Sequence, residues 1–295
     1  MILYTQKNGD IWLIQRPDEY GNPIPSLTHH PIPPKTGALF ECGLPDTLVI
    51  HYTAGETAGG AISTWEDPAV KASAHFIVDR NGAVIQCVPI NRIAWHAGRS
   101  TWRAWTSEMR TGLNAYSIGI ELVNPGRLEV AQIAGPGDHS QLKTWYGKLW
   151  THGAVYKDGA WWAEYTEAQI AAVEVLVLAL KQLLSEALDV TLQEVVGHSD
   201  IAPGRKLDPG PAFPMTKIQV AGEKPKSGPQ ILELPEESTT AFTAPEGPVP
   251  QIGNLPAAWD RFVIAMSHRL QLDRLCGWLT RVHRKSNTKR EPLNS

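Results

Sequence analysis

Three short apolar runs constrain this chain more than any other feature, because each carries an ionisable residue where a buried strand would otherwise be uniformly apolar. Thr47-Leu-Val-Ile-His-Tyr52 holds His51, Ser117-Ile-Gly-Ile-Glu-Leu-Val123 holds Glu121, and Val195-Val196 runs into Gly197-His198. Short β-branched runs bounded by proline and glycine read as strands buried on both faces. Phe76–Val78 and Ala83–Val88 flank Asn81-Gly82 and read as a hairpin, since Asn-Gly accepts the positive φ of a tight turn. A helix is expected from Thr166, where Thr166 and Gln169 have capping-box spacing and Ile170, Val173, Val177, Leu180 and Leu184 keep a 3.6 period. Strands alternating with helices predict an α/β domain with a central mixed sheet flanked by helices.

Composition sets the outer limits. The 295 residues are 42% hydrophobic with a net charge of -3, the balance of a globular protein and not of a basic nucleic-acid binder, so no nucleic acid is expected as a partner. The start of the chain has neither a basic segment nor an apolar one, and this leads to the expectation of a cytoplasmic protein, or one reaching the periplasm or wall by a non-Sec route. Cys42, Cys87 and Cys276 are odd in number and far apart, which argues against a disulfide framework and fits a reducing compartment.

Residues 255–295 carry eight Lys/Arg against three Asp/Glu, a net of +5, which leaves -8 for residues 1–254. Four segments follow: a loop-rich N-terminal arm (1–44), a catalytic domain (45–216) with a Trp-rich insertion at about 125–165, a proline-rich linker (217–254) and a basic amphipathic helix and tail (255–295). The insertion holds Trp145, Trp150, Trp161 and Trp162 and reads either as an added wall of a substrate cleft or as a loop folded on its own aromatics. The tail reads either as a helix for membrane or wall-polymer contact through residues 255–290, or as one that docks on the domain or on a second copy.

Two imidazoles and a carboxylate are a common ligand set for catalytic zinc, with the fourth position left for water. His51, His198 and Asp208, which lies ten residues beyond His198 in a proline-punctuated loop, supply that set. Glu121 then suits a general base and Lys206 a stabiliser of an oxyanion. From spacing alone a packed core histidine is the commoner outcome, and Asp208 beside Pro209 also suits a turn.

Five ordered blocks sharpen this: Leu48-Val-Ile-His-Tyr-Thr-Ala54, Ser73-Ala-His-Phe76, Ala94-Trp-His-Ala-Gly98, Asn114-Ala-Tyr-Ser-Ile-Gly-Ile-Glu-Leu122 and Gly197-His-Ser-Asp-Ile-Ala-Pro-Gly-Arg-Lys-Leu-Asp-Pro-Gly-Pro-Ala-Phe-Pro214. Over about 170 residues the chain resembles the zinc-dependent N-acetylmuramoyl-L-alanine amidases of type 2, which share the fold of the peptidoglycan recognition proteins. The resemblance is greatest to the envelope lipoprotein amidase and the anhydro-muropeptide recycling amidase. It implies Zn2+ held by His51, His198 and Asp208, with Glu121 and Lys206 catalytic. It also implies zinc-activated water cleaving the amide between the lactyl group of N-acetylmuramic acid and L-alanine, in peptidoglycan or muropeptide fragments. Trp95, His96, Asn114 and Thr53 become candidates for substrate contact, and His75 for a role behind the ligands; His96 equally suits a structural place behind the ligands, and Thr53 and Asn114 equally suit packing or turn formation. Some relatives place a tyrosine where this chain has Ala74, which shifts the burden to Glu121. The alternatives are a non-catalytic peptidoglycan-recognition module, whose usual loss of a zinc ligand is not seen here, and, within the enzyme class, a phage endolysin. A Cys-His peptidase finds no activated thiol context.

Overall fold

The computed structural model of the protein describes residues 2–15, 26–131 and 141–221. The chain opens with an antiparallel hairpin of β1 (Ile2–Lys7) and β2 (Asp10–Gln15), followed by β3 (Leu27–His29), β4 (Thr47–Tyr52), α1 (Ala58–Glu66), β5 (Phe76–Val78) and β6 (Val84–Gln86). A second hairpin, β7 (Thr101–Arg103) with β8 (Met109–Thr111), precedes β9 (Ser117–Leu122). Then come β10 (Arg127–Ala131), β11 (Gln141–Lys143), β12 (Ala154–Lys157), β13 (Ala160–Ala163), α2 (Glu167–Leu188), β14 (Glu194–Gly197), α3 (His198–Ile201) and α4 (Met215–Ala221).

The expected mixed sheet is present, in the order β14-β4-β9-β5-β6-β3. Strands β14, β4, β9 and β5 are parallel, and β6 turns back antiparallel through the anticipated Asn81-Gly82 turn. Side-chain alternation divides β4 and β9 between two layers. Leu48, Ile50, Ile118, Ile120 and Leu122 join Val173, Leu176, Val177, Leu180 and Leu184 of α2 in the main core. Val49 packs on the opposite face with Ala97, Leu113, Val196 and Ile201. Helix α2 starts where the capping box placed it, with Thr166 accepting from Gln169 N and Gln169 returning the bond to Thr166 N. It is long and apolar enough to cross a membrane, yet its apolar face is used by the core.

Some expectations are corrected. The N-terminal arm is not loop-rich: β1 and β2 form a hairpin across Asn8-Gly9, both at positive φ, and Ile11 and Leu13 are buried in the core. The domain does not end at 216, because α4 runs to Ala221 with Ile218 buried. The Trp-rich insertion, which the sequence left between a cleft wall and a loop folded on its own aromatics, is a four-stranded antiparallel sheet, β11-β10-β13-β12. Leu128, Trp150 and Ala163 form its small core. Cys87 is a buried free thiol and Cys42 is disulfide-bonded, so the cysteines are not all unpaired thiols. The linker beyond residue 221 and the basic helix of 255–295 lie outside the described residues.

Candidate active site

The parallel strands deliver their ionisable residues to one place, the carboxyl ends of β4, β9 and β14, which is where open α/β sheets bind ligands. His51 and Glu121 are register partners on adjacent strands. Gly197 pairs with Ile50, so the chain leaves β14 one residue short of His51 and starts α3 with His198. A proline-rich loop then returns Asp208 to the same point, tied down by the Ser199 N–H donating to the Asp208 carbonyl at 2.8 Å.

His51, His198 and Asp208 form a buried triangle. The two Nδ1 atoms lie 2.8 Å apart, and Asp208 Oδ2 is 3.1 Å from His51 Nδ1 and 2.9 Å from His198 Nδ1. Burial pushes the His51 imidazole down to about 4, so it is neutral at physiological pH. Burial alone would raise the Asp208 carboxyl, but the two imidazoles outweigh it and hold Asp208 well below the ordinary carboxylate range. On the far side of its ring, His198 Nε2 faces the Ala97 carbonyl at 3.2 Å. A carbonyl only accepts, and this contact is shorter than that of the Arg205 guanidinium with the same atom, 3.4 Å, so it favours the proton on Nε2 and a lone pair on Nδ1. Converging nitrogen lone pairs and a carboxylate oxygen are what a divalent cation satisfies, and the donor set suits zinc.

Beside the triangle, Glu121 Oε2 is buried with no hydrogen-bond partner. Burial first, then the charge of Asp208, raise the Glu121 carboxyl well above its ordinary value, and Lys206 offsets only part of this. Lys206 is half-buried, and its charge also acts on His51. An unpartnered carboxyl with raised proton affinity next to a cation site suits a group that accepts and returns a proton.

The remaining expected residues divide. Trp95 is 43% exposed and stays available to a ligand. His96 does not: its ring is buried, with Nδ1 3.0 Å from His51 Nε2 and Nε2 3.2 Å from the Ser117 carbonyl, so it cannot face substrate. Asn114 uses Oδ1 to accept from the backbone N–H groups of His96 and Ala97 at 3.0 and 2.7 Å, which makes it a loop clamp. Thr53 is engaged with Gly55 and Asn124 in the turn after β4. His75 lies one step behind His96, accepting from Gly119 N–H and donating to the Arg92 carbonyl. The Cys87 thiol is pushed up to about 12 by burial, opposite to what a cysteine nucleophile needs.

Residue 43–211 match the N-acetylmuramoyl-L-alanine amidase family. The chain belongs to that family. Among relatives, it is 35% identical over 182 residues to the N-acetylmuramoyl-L-alanine amidase AmiD of Escherichia coli, covering 59% of this chain and 52% of AmiD. It is 29% identical over 155 residues to the 1,6-anhydro-N-acetylmuramyl-L-alanine amidase AmpD of the same organism, covering 52% of this chain and 61% of AmpD. The chain therefore spans about half to three fifths of the length of these curated relatives. The solved complex of Escherichia coli AmiD with the substrate anhydro-N-acetylmuramic acid-L-Ala-D-gamma-Glu-L-Lys superposes with a TM-score of 0.40 at 28% identity, covering 74% of this chain and 65% of that one.

Several residues outside the triangle and Glu121 hold the site in place. Gly119 is needed because a Cβ there would meet the His96 ring, 2.7 Å from Nδ1. Glycine inside a strand is a recognised sign of such close approach, and this signal was present in Ile118-Gly-Ile120. Tyr165 donates its hydroxyl to the Pro209 carbonyl at 2.7 Å, and Arg205 donates to the carbonyls of Ala97 and Arg99, bracing the ligand loop from two sides. Nothing in the spacing of these residues announces either contact.

Proposed function

We propose that the chain is a zinc-dependent N-acetylmuramoyl-L-alanine amidase that hydrolyses the amide joining the lactyl group of N-acetylmuramic acid to L-alanine of the stem peptide. The observation that carries this reading is the placement of a buried, unpartnered Glu121 oxygen beside the His51, His198 and Asp208 triangle. Zinc bound by those three side chains supplies carbonyl polarisation and makes water a stronger acid. Glu121 takes a proton from the attacking water as the C–O bond forms. The same carboxyl then gives that proton to the leaving amine as the C–N bond breaks, which an amide requires because an amine anion is too poor a leaving group. Lys206, whose charge reaches Glu121 and His51, is the cation that would offset the negative charge developing on the carbonyl oxygen. Trp95 offers an exposed aromatic face to sugar or peptide at the rim.

The relatives' names point to the same bond, in muropeptide or in polymeric wall, so the test has two arms. Intact sacculi and anhydro-muropeptide are incubated with the full chain, and the products are weighed by mass spectrometry. Release of peptides with a free L-alanine N-terminus from either substrate supports the reading, and the faster arm identifies the natural form. Cleavage elsewhere in the stem peptide or glycan, or binding without cleavage, overturns it and favours the recognition module.

A further inference from the structure

The dipeptide His96-Ala97 touches both histidines of the triangle from behind. The Ala97 carbonyl faces His198 Nε2 at 3.2 Å, and His96 Nδ1 faces His51 Nε2 at 3.0 Å. Asn114 Oδ1 holds both backbone N–H groups of that dipeptide, and Gly119 leaves the space into which the His96 ring fits.

Proton positions along this chain follow from its last member. The Ser117 carbonyl, 3.2 Å from His96 Nε2, has no proton to give, so His96 Nε2 must be the donor. A neutral imidazole with its proton on Nε2 has a lone pair on Nδ1. That lone pair faces His51 Nε2, which must therefore carry the His51 proton. His51 Nδ1 is left bare and aimed at His198 Nδ1 and Asp208 Oδ2, 2.8 and 3.1 Å away. We propose that His96 is a positioning residue for the metal centre: its Nδ1, oriented by the Ser117 carbonyl, fixes His51 as the Nε2-protonated tautomer and so keeps Nδ1 free for zinc. His96 touches neither substrate nor the reacting atoms, and its contribution is to metal affinity. His75, behind it, contacts Gly119 and the Arg92 carbonyl and is outside this relay.

This inference rests on the zinc reading above, and its test separates the two. Zinc affinity of the full chain is measured by competition with a chromophoric chelator for wild type, His96→Phe, His96→Asn and Gly119→Ala. Asparagine places an oxygen acceptor near the Nδ1 position, whereas phenylalanine fills the space with no acceptor. His96→Phe is expected to bind zinc about 10–100-fold more weakly, and His96→Asn to recover most of that loss. Gly119→Ala keeps the imidazole but displaces it, and is expected to weaken zinc binding in the same direction. Unchanged affinity in His96→Phe overturns the proposal, as does an equal loss in His96→Phe and His96→Asn, which marks mere packing. Should a variant fail to fold, long-range 1H–15N spectra of histidine-labelled wild type decide: His51 and His96 both protonated at Nε2 are expected, and an Nδ1 proton on either overturns the relay. A wild-type chain that binds no zinc breaks the reading above; normal zinc binding without amide cleavage breaks the amidase but leaves the relay standing.

Discussion

The six-stranded and four-stranded sheets of this protein do different work. In the first, β4 and β9 are buried along almost their whole length, and their half-buried positions, Tyr52 and Glu121, lie at the carboxyl ends. In the second, β10 and β12 are largely exposed, and the apolar surface is gathered into Leu128, Trp150 and Ala163. Parallel strands bury both faces, so any polar side chain among them must be paired or functional. An antiparallel sheet with a solvated face carries polar residues at no such cost. His51 and Glu121 are informative because of the sheet they occupy.

The second sheet is nevertheless joined to the first at the site. Trp162 packs against Gly210, two residues from Asp208, and Lys157 Nζ donates to the Pro211 carbonyl at 3.2 Å. Trp145 Nε1 donates to the Ala54 carbonyl at 2.9 Å, and Lys148 pairs with Glu56 in the turn that follows β4. The insertion thus braces both the ligand loop and the segment after His51.

If this division is right, substitutions in the two sheets separate chemistry from support. His198→Ala has the largest expected effect: more than about 100-fold weaker zinc binding and a matching loss of turnover, with little change in the circular dichroism of the metal-free chain. Trp162→Ala reverses the pattern, costing about 3–5 kcal/mol of stability in denaturant unfolding while zinc still binds. Equal effects of the two on zinc would erase the distinction.

Acid sharpens it further. Burial lowers His51 and His75 to about 4 and His96 well below its ordinary value, so the unfolded chain binds more protons than the folded one between about pH 4 and 6.5. Stability of the metal-free protein therefore falls as pH drops through that window, by about 3 kcal/mol for each of His51 and His75. The raised carboxyl of Glu121 acts with the opposite sign, because it favours the folded state when protonated. Glu121→Gln should consequently steepen the loss of thermal stability between pH 7 and 4.5, and a shallower loss would contradict the assignment. The smallest effect is expected at Trp145, which is 62% exposed: Trp145→Ala forfeits one hydrogen bond to Ala54, about 1 kcal/mol in the same unfolding measurement.

What was legible in the sequence follows the same line. The buried strands and α2 were readable because two-sided burial and a capping box leave strong local marks, and the triangle with Glu121 was readable because ionisable residues stand out against them. The N-terminal hairpin escaped although Asn8-Gly9 marks it as plainly as Asn81-Gly82 marks the other, and both Asn8 and Gly9 take the positive φ such a turn needs. The insertion escaped for a similar reason, since Asp158-Gly159, also at positive φ, turns β12 into β13. The role of His96 was only half legible, since the sequence left it between substrate contact and a structural place behind the ligands. Its partners, Ser117 and His51, are 21 and 45 residues away, and only the folded sheet brings their atoms together.

The central claim is that a zinc triangle and a separate proton carrier share this site, and one paired measurement tests it most directly. Zinc content and muropeptide turnover are determined for wild type and Glu121→Ala in the same preparation. The account predicts full zinc occupancy in both and turnover reduced about 10²–10⁴-fold in Glu121→Ala. Wild-type turnover by Glu121→Ala would contradict it.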